Sequence, residues 1–266
     1  MSEFPFAIIT GATRGLGKAI TRNLVLRGVS CIAIGSSIES IEKRVKPEEL
    51  LTVGQQQHRS IALDLSRWSQ DFSEEVMTID YKASIEPQKR KRTLAEALEY
   101  RGDRYRLRML VNCAGITQES LTLRTSPKHI STIMNVNFMS PVGLCNYVSK
   151  RQLKKRRDSK RVDIVNISSI LGATSQQGDI LLPGTAVYSA SKAALSRFTE
   201  VYAKEVEPLG IFCHTIAPGL IPETDMIQSL PETAKKNLLN AIGSNTSTIE
   251  EICNQVMDIY DMNTSR

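Results

Sequence analysis

The sequence predicts a doubly wound α/β fold on a parallel sheet of six strands, with helices on both faces. Three observations carry the prediction. Short β-branched runs alternate with longer helical patterns as far as Gly219, and these runs are apolar along their length, as strands covered on both faces must be. A glycine-rich turn joins the first run to the first helical pattern, and no strand-like run follows Gly219. The chain has 266 residues, 41% of them hydrophobic, enough for one domain with its own core spanning 1–266.

Each element follows from its local pattern. The first strand is "FAIIT" (6–10), and "GKAITRNLVLRG" (17–28) gives the helix that returns along it. "SCIAIG" (30–35) and "SIALDL" (60–65) supply the second and third strands. The polar segment 66–108, with "QKRKR" at its centre, reads as a surface insertion around the helical pattern "TLAEALEY". "RMLVNCAG" (108–115), "VDIVNIS" (162–168) and "IFCHTIAPG" (211–219) complete the sheet, with a long helix between the first two. From about residue 222 only helical patterns remain, expected to form a lid over a substrate.

The turn "TGATRGLG" holds the first chemical signal. Glycines at a strand-to-helix turn let the backbone approach a pyrophosphate, and the helix beyond presents unpaired amides and a positive dipole end to it. The second signal is "YSASK", which sets Tyr188 and Lys192 one helical turn apart. A phenol titrates near 10, and a cation on the same helix face favours the phenolate, lowering that value toward the working range of a proton donor. An amphipathic stripe containing Leu195 and a snorkelling lysine would share this spacing, so the pair gains meaning only beside the glycine turn.

The turn's spacing, T-G-x-x-x-G-x-G, resembles that of the short-chain dehydrogenase/reductase family, and the likeness continues in order through "NCAG", Asn137, Ser169, Tyr188, Lys192, Pro218 and Gly219. The resemblance implies a Rossmann-type fold and a nicotinamide dinucleotide held by Gly11, Thr13, Arg14, Gly15, Leu16, Gly17 and Ser36. It further implies that Asp64 and Leu65 flank the adenine, and that Cys113, Ala114 and Gly115 pass the adenosine ribose, with cysteine where the family usually has asparagine. Pro218, Gly219, Ile221 and Thr224 would border the nicotinamide, the last two across a spacing altered by one extra residue. Tyr188 would donate the proton, Ser169 would hydrogen-bond the substrate oxygen, Lys192 would also hold the nicotinamide ribose, and Asn137 would support a proton-relay water. Ser168 is the neighbouring candidate; Ser169 aligns with the family serine. The second strand ends in Ser36 and Ser37 where NAD-binding proteins carry a carboxylate. With the Arg14 guanidinium nearby, NADP(H) is expected.

Stretches such as "NCAGITQESL", "MNVNFMSPV" and "VYSASKAALSRFTEV" are similar to a subgroup of that family, the fungal mitochondrial 3-oxoacyl-[acyl-carrier-protein] reductases. The subgroup implies NADPH-dependent reduction of a carrier-bound 3-oxoacyl thioester to the (3R)-hydroxy form in type II fatty acid synthesis, in the mitochondrial matrix. The formal charge of +6 suits an acidic carrier, and Lys154, Lys155, Arg156, Arg157 and Lys160 form the candidate docking segment, though cations also simply complement a helix C-terminus. A second basic family position is here Leu209. Bacterial members of the group close the sheet with a seventh strand that has no counterpart in this sequence, which removes one oligomer contact; the homo-oligomer expected is a dimer through the Asn137 and Tyr188 helices. Rival readings are a reductase of another ketone, such as a sterol, sugar or acyl-dihydroxyacetone phosphate, and a non-catalytic nucleotide-sensing or nucleic-acid-binding protein. The complete Asn, Ser, Tyr and Lys set argues against a sensor, and no nucleic-acid partner is expected.

Other functions have no residues to carry them. Five scattered cysteines without C-x-x-C spacing predict free thiols in a reducing compartment, and three isolated histidines predict no metal. No run approaches the roughly 20 apolar residues of a membrane helix, so a soluble protein is expected. Only three residues precede "FPFAIITG", so no presequence is recognisable, and a cytoplasmic location is the alternative.

Overall fold

The computed structural model describes residues 3–45, 50, 56–69, 71–82, 85–100, 104–118, 120–154, 160–172, 180–228 and 232–262. Its elements run β1 (Phe4–Thr10), α1 (Gly15–Leu26), β2 (Ser30–Gly35), α2 (Ile38–Arg44), β3 (His58–Ala62), β4 (Glu75–Lys82), β5 (Ile85–Thr93), α3 (Leu94–Ala97) and β6 (Tyr105–Asn112). There follow α4 (Pro127–Met134), a π-helical turn (Asn135–Met139), α5 (Ser140–Lys154), β7 (Val162–Ile167), α6 (Ala186–Val206), β8 (Ile211–Ile216), α7 (Asp225–Gln228), α8 (Glu232–Ile242) and α9 (Ile249–Asp261).

One sheet has the order β5-β4-β3-β2-β1-β6-β7-β8. The six strands from β3 to β8 in that order are parallel and match the expected set. Alternation within β1 sends Ala7 and Ile9 to the face covered by α1 and α9, and Phe6 and Ile8 to the opposite face with α5 and α6. A bulge in β6 leaves Arg108 unpaired between Leu107 and Met109, so the apolar residues on either side of it still meet opposite faces. α9 begins with a capping box of Thr248 and Glu251 and buries Ile252, Cys253, Val256, Met257 and Tyr260 at helical spacing, making it part of the core beside α1.

The 66–108 segment corrects the six-strand expectation. Instead of wrapping a helix, it forms an antiparallel hairpin, β4 and β5, that lengthens the sheet beyond β3, and among its described residues the only α-helix is the four-residue α3. The inner strand β4 buries Val76 on one face of the sheet and Ile79 and Tyr81 on the other. The outer strand β5 contains "QKRKR" because it is the sheet's edge, where cations and Pro87 discourage pairing with another chain. Its polarity hid it from an argument based on apolar periodicity. After β8 the described residues add only helices and one bridge, Leu220 to Thr246.

Candidate active site

The parallel strands bring their carboxyl ends to one edge of the sheet, and nearly all the expected site residues gather there. Gly11 lies in the left-handed region (φ +67°), and a Cβ added to it would meet Ala114 Cα at 2.9 Å. The first turn therefore presses on the loop after β6, and Thr10 Oγ1 ties them by accepting from both Cys113 N and Ala114 N at 3.0 Å. Gly17 crosses Gly11 so closely that a Cβ would lie 2.3 Å from its carbonyl oxygen. Leu16 is buried in the core, and Thr13 packs on Gly35, where a Cβ would meet its Cγ2 at 2.5 Å. No side chain caps α1 and no acidic residue lies in its first turn, so the helix end fits an anionic group. Cys113 is engaged through its backbone while its thiol packs among apolar residues, where burial pushes its pKa up to about 12. The replacement of asparagine is thus compatible with the loop's contacts.

Of the two serines after β2, Ser37 accepts from Ser40 N at 3.2 Å and caps α2, which leaves Ser36 exposed beside it. Arg14 stands 3.6 Å from the Asp225 carboxylate, and Arg44 donates to the same carboxylate at 2.9 Å. Arg44 first, then Arg14, holds that carboxyl below the usual range. Sequence reasoning missed Arg44; nothing local distinguishes it from any cation ending a helix. Asp64 accepts from Ser66 N at 3.0 Å, and Leu65 is buried beneath it. A cavity of about 200 Å³ lined by Asp64, Arg67, Trp68 and Val76 opens there. A larger one of about 540 Å³ lies between the hairpin and α3, bordered by the paired Arg59, Asp80 and Arg92, away from the glycine turn.

Asn137 occupies the π-helical turn with no exposed surface; its Oδ1 accepts from Ile116 N at 2.9 Å and its Nδ2 donates to Ile116 O and Ser191 Oγ, both at 3.0 Å. Lys192 is 4% exposed and donates from Nζ to Ile167 O at 2.8 Å. A Cβ on Gly115 would lie 3.5 Å from Lys192 Nζ and 3.7 Å from Asn137 Oδ1, so glycine there opens a space lined by both. The structure separates the two serines. Ser168 spends its hydroxyl on Lys192 O (2.9 Å) and Ser196 (2.7 Å), whereas Ser169 Oγ accepts from Leu171 N at 3.2 Å and stands near enough to the Tyr188 phenol to lower its pKa.

At the Tyr188 phenol, burial raises the pKa and the Ser169 hydroxyl lowers it. The Lys192 ammonium turns to the Ile167 carbonyl, and desolvation lowers its own pKa to about 8. Pro218 O accepts from Ile170 N at 3.0 Å, Gly219 N donates to Ser247 Oγ at 3.0 Å, and Ile221 is buried. A Cβ on Gly15 would meet Thr224 Cγ2 at 3.8 Å, so Thr224 stands opposite the glycine turn despite the altered spacing. Lys154 and Lys160 lie at the start of β7, the end of the sheet opposite Ser169, with Lys160 2.9 Å from Glu3; Lys155, Arg156 and Arg157 fall outside the described residues. Among the described residues no cluster could hold a metal ion and no helix is long and apolar enough to cross a membrane.

Residues 67–235 match the short chain dehydrogenase family model. The chain is 30% identical to the 3-oxoacyl-[acyl-carrier-protein] reductase FabG of Thermotoga maritima over 90% of this chain and 83% of that protein. It is 31% identical to the enzyme of the same name from Aquifex aeolicus over 94% and 88% of the two chains. Among solved structures, a dehydrogenase/reductase from Sinorhizobium meliloti superposes with a TM-score of 0.68 at 24% identity, covering 98% of this chain and 88% of that one. A 4-hydroxyisoleucine dehydrogenase complexed with NADH superposes at 0.67 and 22% identity over 95% and 89%. At these identities the two structures speak for the fold.

Proposed function

Because the chain belongs to the short-chain dehydrogenase family, we propose that it is an NADPH-dependent 3-oxoacyl-[acyl-carrier-protein] reductase forming the (3R)-hydroxyacyl product in type II fatty acid synthesis, mitochondrial by its resemblance. The observation that carries the catalytic reading is a phenol and a hydroxyl, Tyr188 and Ser169, that sense each other's presence, with a buried ammonium, Lys192, one helical turn beyond the phenol. When bound, a reduced nicotinamide would supply hydride to the carbonyl carbon. This chain's residues do the rest: Tyr188 gives its proton to the carbonyl oxygen, Ser169 donates a second hydrogen bond to it, and Lys192 and Asn137 line the space beside Gly115. Gly11, Gly15, Gly17 and the uncapped end of α1 would hold the pyrophosphate, and Arg14, Arg44 and Ser36 a 2′-phosphate.

Arrival of that phosphate would compete with Asp225 for both guanidiniums. Asp225 opens α7, which with α8 supports a lid on the Ile170 side of the site through the cluster of Leu220, Ile227 and Ile242. Carrier docking would use the segment from Lys154 to Lys160. Of its cations, Lys154 and Lys160 are among the described residues and lie about one strand length, roughly 20 Å, from Ser169, a span that only a long flexible arm crosses. Exposed Leu153 and Val201 give α5 and α6 the apolar surface a homodimer would bury.

The test is to follow NADPH oxidation with acetoacetyl thioester beside a panel of sterol, sugar and simple ketones. Faster turnover of a panel ketone than of the thioester would replace this substrate assignment. Charge reversal at Arg156 and Arg157 should raise KM for the carrier-bound substrate alone; equal effects on a small thioester would end the docking idea.

A further inference from the structure

Helix α6 starts without a side-chain cap of its own. Thr185, at the cap position, turns its hydroxyl back to Leu182 O at 2.7 Å. The first-turn amide of Val187 has no acceptor within the helix, and it donates to Oε1 of Gln118 at 2.8 Å, across 69 residues of sequence. Gln118 is 5% exposed and uses its other arm on its own loop, Nε2 donating to Ser120 O at 2.7 Å and to the Thr122 hydroxyl at 3.2 Å. Val187 immediately precedes Tyr188. On the far side of Tyr188, its carbonyl accepts from Ser191 Oγ at 2.6 Å, and Ser191 Oγ accepts from Asn137. Asn137 clasps Ile116, two residues before Gln118. Two amide side chains thus tie one loop to the backbone on both sides of the tyrosine.

We propose that Gln118 is a positioning residue for Tyr188: it supplies the missing cap of α6 from a distant loop and so fixes where the phenol stands relative to Ser169 and Gly115. This rests on Tyr188 being the proton donor. Gln118→Met keeps length and removes the acceptor; Gln118→Glu keeps an acceptor oxygen for Val187. With NADPH and acetoacetyl thioester, the Met variant should lose about tenfold or more in kcat, with KM for NADPH within about twofold. The limb of its kcat against pH profile assigned to the phenol should move, while the Glu variant stays within about threefold of the parent. Amide exchange at Val187 should quicken in the Met variant and stay slow in the Glu variant. Equal losses in both variants, or a Met variant with unaltered kcat and pH profile, would overturn the proposal. A parent protein without turnover on any ketone would instead sink the reading of Tyr188, and Val187 exchange would still report whether Gln118 holds the helix end.

Discussion

The two ends of the sheet both bury polar groups, and they do so in opposite ways. At the amino end of β7, Asp163 has no exposed surface and is met by Arg161 at 2.9 Å, His214 at 3.0 Å and Arg108 at 3.7 Å. Arg161 also stacks on Phe212, with its guanidinium carbon 3.9 Å from the ring centroid. At the carboxyl end, Lys192 is almost as deeply buried, yet its hydrogen-bond acceptor is a neutral carbonyl and no carboxylate contributes to its electrostatics. Charge answered by charge holds a fold together. A buried ammonium left without a counter-charge raises the free energy of the empty protein, and that is tolerated where a ligand or a reaction will use it. Burial of polar atoms alone would not have told these places apart.

The largest effect expected from breaking this contrast is Tyr188→Phe. Removing one hydroxyl should lower turnover by about 10²–10⁴-fold while the melting temperature barely moves; retained turnover in a steady-state assay would remove the carboxyl end from the chemistry. Asp163→Asn should do the reverse. Stranding the buried guanidinium of Arg108 and the half-buried one of Arg161 should cost about 3–5 kcal/mol in a denaturant titration, with kcat of the folded protein unchanged.

Lys192→Met sharpens the comparison because it should abolish turnover and yet stabilise the fold. The folded pKa of about 8 lies below the unfolded value near 10.4, so the burial cost is present in full below pH 8 and fades as pH rises toward 10.4. The variant should therefore gain about 1–3 kcal/mol at neutral pH, and the gain should vanish in strongly alkaline buffer; a loss at pH 7 would contradict the contrast. The smallest effect belongs to the solvent-washed rim. Arg14→Ala should raise KM for NADPH by about three- to tenfold and leave KM for NADH alone, since its charge is screened and shared with Arg44.

Much of this was legible in the residues. Continuous apolar runs required strands covered on both faces, and the glycines at 11 and 17 marked a tight strand-to-helix turn, at which the structure finds no room for a Cβ atom. The hairpin was not legible, because β5 carries the polar residues an edge strand needs and so lacks the pattern that marks a strand. Nor was the direction of Lys192. The four-residue spacing put it beside Tyr188 on one face, but the carbonyl of Ile167, 25 residues earlier, drew the ammonium away.

By itself, then, the sequence determined the parallel core, the glycine turn and the small set of side chains able to move a proton, since strand period, helix period and turn chemistry act between near neighbours in the chain. Only the tertiary structure decided that Ser168 spends its hydroxyl on Lys192 and Ser196, that Arg44 joins Arg14, and that Gln118 closes the open end of α6. Those choices depend on where distant segments pack, and a hydrogen bond exists only once packing has brought donor and acceptor within about 3 Å of each other.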